Sequence, residues 1–92
     1  MPDARLDPFT ILLAQLEFGA LVGLGIVENP ATKEKKREPL GAKVFIDQME
    51  MLAVKTRGNL SADEARALEE SLFRVRMLFV QTAGGEAVEK QE

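Results

Sequence analysis

Apolar residues recur three and four positions apart in three stretches of this chain, and polar or breaker residues separate the stretches. That spacing marks helices with a buried side; a half-buried strand would alternate with period two, and no stretch does. The pattern predicts an all-α fold of three helices over about 8–24, 39–57 and 62–82. Each boundary has its own chemistry. Asp7-Pro8 supplies an N-cap carboxylate followed by a proline at the first helical position. Gly25 offers a left-handed stop, with Ile26 folding back on Leu21. Lys55 and Arg57 place positive charge where the second helix ends, and Gly58 can turn the chain there. Ser61 and Glu64 form a capping box for the third helix, and Asp63 adds charge of the favoured sign. The corner Gly58, Asn59, Leu60, Ser61 through Glu64 is short, so helices two and three should form an antiparallel hairpin.

The first helix is apolar on two sides. Phe9, Leu12, Leu13, Leu16, Ala20 and Leu24 share one face, and Ile11, Ala14, Phe18, Leu21 and Val22 share the opposite one. Only Thr10 with Glu17, and separately Gln15, interrupt the ring. A helix apolar nearly all round is buried. A transmembrane span needs about 20 apolar residues, and the run from Ile11 to Val27 falls short while carrying Gln15 and Glu17. A signal peptide would not carry Glu17 in its core, and no small-x-small cleavage site follows. The favoured reading is a helix held between its own subunit and another. Gly19 and Gly23 form a G-x-x-x-G, which permits close helix contact.

The other helices also carry a second stripe. Helix two has a main face of Ala42, Phe45, Ile46, Met49, Leu52, Ala53 and Thr56, and a thinner one of Leu40, Val44, Met51 and Val54, broken by Asp47. Helix three repeats Ala65, Leu68, Leu72, Val75 and Phe79, with Phe73, Met77 and Val80 beside Arg76 on another side. One stripe per helix can close a subunit; the surplus must meet something else. The expected assembly is a homo-oligomeric helical bundle. Phe9, Leu13, Leu16, Phe18, Leu21, Val22, Phe73, Met77 and Val80 are the candidate interface, with Phe18, Leu21 and Val22 preferred over Phe9, Leu13 and Leu16 as the outward side of helix one.

Composition sharpens this picture. The 92 residues make one small domain, over 1–82, with a polar loop at 28–38 and an expected flexible acidic tail at 83–92. Yet 46% of them are apolar, more than so small a subunit readily hides. The chain has no cysteine and no histidine, so a disulfide framework, a thiolate nucleophile and a Cys/His metal site are excluded, and no cofactor is expected. The side chain most used as a base near neutral pH is also missing. A net charge of −3 gives no general attraction to nucleic acid or an anionic membrane. The lack of cysteine fits a reducing cytoplasm.

Two clusters offer chemistry. Asp47 lies within an apolar stripe: a buried, unpaired Asp47 working with Arg76 or a lysine would mark a small enzyme or a regulatory subunit of one, and Asp47 with Arg76 is otherwise a candidate buried ion pair. The plainer reading pairs Asp47 with Lys43, Lys55 or an arginine across an interface. Lys33, Lys35, Lys36 and Arg37 are the one basic cluster, readable as an anion or nucleic-acid contact. Glu34 and Glu38 interrupt it and no aromatic residue interleaves it, which favours a solvated connection. The chain holds no Walker loop, dinucleotide fingerprint, H-E-x-x-H or EF-hand pattern.

Several strings resemble one family. Ile46-Asp47, Met49-Glu50-Met51-Leu52, Lys55-Thr56-x-Gly58-Asn59-Leu60, then Glu64, Leu68, Leu72 and Arg76, with Phe9, Leu24-Gly25 and Pro30 earlier, are similar to small bacterial proteins catalogued as domain of unknown function 1844. The resemblance spans roughly residues 8 to 82. It implies a bacterial, cytoplasmic, all-helical protein and assigns no activity, catalytic residue or ligand. The resulting expectation is a non-catalytic interaction or scaffold protein whose partner is a copy of itself, with a further protein partner as the alternative.

Overall fold

Asp7 opens the first helix as its chemistry requires: its Oδ2 accepts from the backbone N–H of Phe9 at 3.1 Å and of Thr10 at 3.2 Å. Two donors that a helix start would leave unpaired are thereby satisfied. The computed structural model describes residues 7–84. It contains α1 (Pro8–Gly23), α2 (Pro39–Lys55) and α3 (Ala62–Leu78), and the last runs on into a π-helical turn, Phe79–Gly84. No strand occurs among the described residues. Of the expected tail at 83–92, Ala83 and Gly84 belong to the π turn, and residues 85–92, like 1–6, lie outside the described ones.

Both chain reversals follow from local chemistry. Gly25 takes φ +79°, the Gly25 N–H donates to the Val22 carbonyl at 3.0 Å, and the Ile26 N–H donates to Leu21 at 3.0 Å. This is a Schellman stop, placed where Gly25 predicts it. Gly58 takes φ +84°, and the Asn59 N–H closes the corner on the Thr56 carbonyl at 2.8 Å. Across that corner the Ser61 hydroxyl accepts from the Glu64 N–H at 3.1 Å, while the Glu64 carboxylate accepts from the Ser61 N–H at 2.9 Å. The capping box is complete.

The loop between α1 and α2 is polar but ordered by its own bonds. Asn29 makes an Asx turn with the Ala31 N–H at 2.8 Å, and the Glu38 N–H donates to Gly23 at 2.7 Å, which closes the loop at its base. Arg37 reaches further and donates from Nη1 to the Thr82 carbonyl at 3.2 Å, joining the loop to the π turn.

Helix directions can be read from the contacts. Gly19 lies against Phe45 and Gly23 against Ala42, so α1 and α2 are antiparallel. Arg76 bonds Glu50, and α2 and α3 share a core cluster, so they are antiparallel as the short corner predicts. Ala20, Ile46, Met49, Leu72 and Val75 form the main cluster, with Leu16, Phe45 and Phe79 packed on it. Leu24 and Ala42 form a second, under Leu78 and again Phe79. One correction concerns α3, whose expected regular helix to residue 82 stops at Leu78. Beyond it the Thr82 hydroxyl bonds the Leu78 carbonyl at 2.7 Å, and the chain widens while Phe79 serves both clusters.

Candidate functional site

The strongest polar arrangement in the molecule was not foreseen. Glu17 is the one ionisable residue of α1, and it turns toward α3. Its Oε1 accepts from the Ser71 hydroxyl at 2.6 Å and from Arg74 Nη2 at 3.0 Å, and its Oε2 accepts from Arg74 Nε at 3.0 Å. Ser71 is buried and the Glu17 side chain is only 20% exposed, while Arg74 remains 54% exposed. Hydrogen bonds from Arg74 hold the Glu17 carboxyl below its ordinary value of 4.5; burial opposes them, and Ser71 and the charge of Arg74 reinforce them. Ser71 and Arg74 stand three residues apart, one turn of α3, so a single carboxylate spans both. The arrangement is a fully partnered clamp between α1 and α3. The signal that pointed to it is a lone carboxylate on an otherwise apolar helix, which requires a cation once that helix packs.

The expected pairing of Asp47 with Arg76 is not formed, and neither residue is buried. Lys43 Nζ donates to both Asp47 carboxylate oxygens at 3.1 Å, an i,i+4 pair within α2. Arg76 instead donates from Nε at 3.1 Å and Nη2 at 3.0 Å to Glu50 Oε2, one turn beyond Asp47. The physical reason is reach: the guanidinium meets the carboxylate that lies across from it, and Lys43 already holds Asp47. Both pairs border a groove between α2 and α3 lined also by Ile46, Phe79 and Val80.

The basic cluster does not converge. Lys33, Lys35, Lys36 and Arg37 are exposed; Lys36 Nζ lies 3.8 Å from Glu38, and Arg37 is turned onto the Thr82 carbonyl. Among the described residues no group of carboxylates is placed to hold a metal ion, and no buried side-chain nitrogen or oxygen lacks a partner. No helix of the described residues is long and apolar enough to cross a membrane.

The family comparison is decisive. The family described as Domain of unknown function (DUF1844) matches residues 8–81. The chain belongs to that family. The match begins at the first residue of α1 and ends inside the π turn, so the family unit is the whole three-helix domain. Comparison with curated proteins and with solved structures finds no match.

The candidate interface residues of this family member separate into two sets. Leu13 is buried and Leu16 packs on the main cluster, so these two face the chain's own core; on the same side Phe9 is half-buried and Leu12 exposed. Phe18 is exposed on the other side, with Leu21 and Val22 half-buried. Phe73, Met77 and Val80 are all exposed, Phe73 at 63% and Val80 at 66%. Gly19 and Gly23 are used inside the subunit. A Cβ on Gly23 would stand 2.7 Å from the Ala42 backbone nitrogen, and one on Gly19 2.5 Å from the Phe45 ring.

Proposed function

We propose that this chain is a non-catalytic, self-associating interaction or scaffold protein of the bacterial cytoplasm. One observation carries the reading. Among the described residues, nine apolar side chains form the buried core, whereas eleven large apolar side chains are exposed. Single exposed apolar residues such as Leu12 and Ile26 are ordinary, but the other nine fall into stripes on each helix: Ile11 and Phe18 on α1; Leu40, Val44, Met51 and Val54 on α2; Phe73, Met77 and Val80 on α3. Burial of one such Phe or Leu contributes about 1.5–3 kcal/mol, so a few per copy sustain an association. A catalytic reading needed a buried, unpaired Asp47, and Asp47 is exposed and paired with Lys43. The test is light scattering coupled to size exclusion at micromolar concentration. The expected mass is a multiple of 10.1 kDa, and a mass at the single-chain value defeats the proposal.

A further inference from the structure

The three exposed stripes differ in what they can say about a partner. The α1 stripe has no charge, because Glu17 is turned inward, so it sets no register. The α2 stripe is broken by Asp47, which would face its own copy if two α2 helices met antiparallel at their middles. The α3 stripe is different. Phe73 lines a shallow recess of about 520 Å³ together with Glu69, Glu70, Leu72, Arg74 and Arg76. Both carboxylates precede Phe73 in the chain and both guanidinium groups follow it.

We infer that the exposed side of α3 is a two-fold contact between two copies of this chain, with Phe73 on the axis and Glu70 of each copy paired with Arg76 of the other. The inference rests on the self-association proposed above and names its surface. In an antiparallel pair centred on Phe73, a residue three before the axis meets the residue three after it. Glu70 therefore meets Arg76 twice, once on each side, as a self-complementary contact requires. A parallel pair would set Glu70 against Glu70 and Arg76 against Arg76, so the charges select the antiparallel one. Arg76 already binds Glu50 through Nε and Nη2, and its Nη1 retains donors for a second carboxylate. By the same rule Met77 stands opposite Glu69 of the other copy and Val80 opposite Arg66, so the apolar centre of the contact is Phe73 on Phe73.

The experiment uses the full chain and two charge reversals. Glu70→Arg sets cation against cation across the axis, and Arg76→Glu sets anion against anion. Each alone is expected to weaken the dimer at least tenfold. An equimolar mixture of the two restores opposite charges at both contacts, so a heterodimer of twice 10.1 kDa should return in native mass spectrometry. A merely misfolded variant would not be rescued by mixing. A second reading uses the chain's lack of cysteine: Phe73→Cys should give a covalent dimer under mild oxidant, and Gln48→Cys on α2 should not. If the wild type is oligomeric but the reversals leave its mass unchanged, or Phe73→Cys fails to cross-link, the α3 contact is overturned and self-association stands. A wild type at the single-chain mass overturns both.

Discussion

Glu17 shows what one side chain does in a helix that is otherwise apolar. Placing a carboxylate at the α1–α3 contact carries a desolvation cost, and the bidentate Arg74 with the Ser71 hydroxyl offsets it. Glu17→Gln removes the charge but keeps an acceptor. It should cost about 1–2 kcal/mol in urea denaturation at neutral pH, since the half-exposed Arg74 keeps the pair below the value of a buried one. The pH dependence has a definite sign. A carboxyl with a depressed folded-state pKa stabilises above its unfolded value and loses that contribution as pH falls through the folded value. The gap between wild type and Glu17→Gln should therefore narrow below about pH 4.5. A gap that widens on acidification would contradict the assignment. Gly58 gives a second residue-scale expectation. It takes φ +84°, and a Cβ there would meet nothing within 4 Å, so Gly58→Ala carries only a backbone cost. The expected loss is about 1 kcal/mol, read from the same denaturation curves.

At the level of elements, the α1–α2 contact depends on two glycines that are not equivalent. A methyl on Gly23 meets the backbone of α2 at Ala42, which cannot move without separating the helices. A methyl on Gly19 meets the ring of Phe45, a half-buried side chain that can rotate. Gly23→Ala should cost about 1–3 kcal/mol by overpacking. Gly19→Ala should cost less, because the Phe45 ring can yield and because Gly19 lies in the helix interior, where alanine's propensity returns up to about 1 kcal/mol, whereas Gly23 is the last helical residue. Thermal unfolding of the two variants side by side checks the order. The corner between α2 and α3 was legible because caps are local: Gly58, Ser61 and Glu64 act within six residues of one another. The π turn after Leu78 was not, because the 3-4 spacing of Val75 and Phe79 continues the same pattern through it.

For the whole molecule, eleven large apolar side chains among the described residues stay exposed beside a core of nine buried apolar residues, which supports the self-association proposed above. If α3 forms the two-fold contact, any assembly beyond a dimer must use another stripe, and α1 with Ile11 and Phe18 is available. Phe18→Glu puts a charge on that second stripe. The expected species in light scattering is a dimer of twice 10.1 kDa; a monomer would move the two-fold contact to α1. If α3 forms that contact, high salt should weaken it, because Glu70 and Arg76 are exposed side chains on which screening acts.

The sequence alone determined the number of helices, their starts at Asp7-Pro8 and Ser61, and the reversals at Gly25 and Gly58, because periodicity and caps depend on neighbours a few residues away. Tertiary structure decided the rest. The two sides of α1 are nearly equal in apolar content, so only packing against α2 and α3 chose Leu13, Ala20 and Leu24 for the core and left Phe18 outside. Glu17 found partners 54 and 57 residues away, a pairing that only the parallel approach of α1 and α3 creates. Arg76 likewise took Glu50 rather than Asp47, because the choice between two carboxylates one turn apart is set by the register of α3 on α2, which no local pattern records.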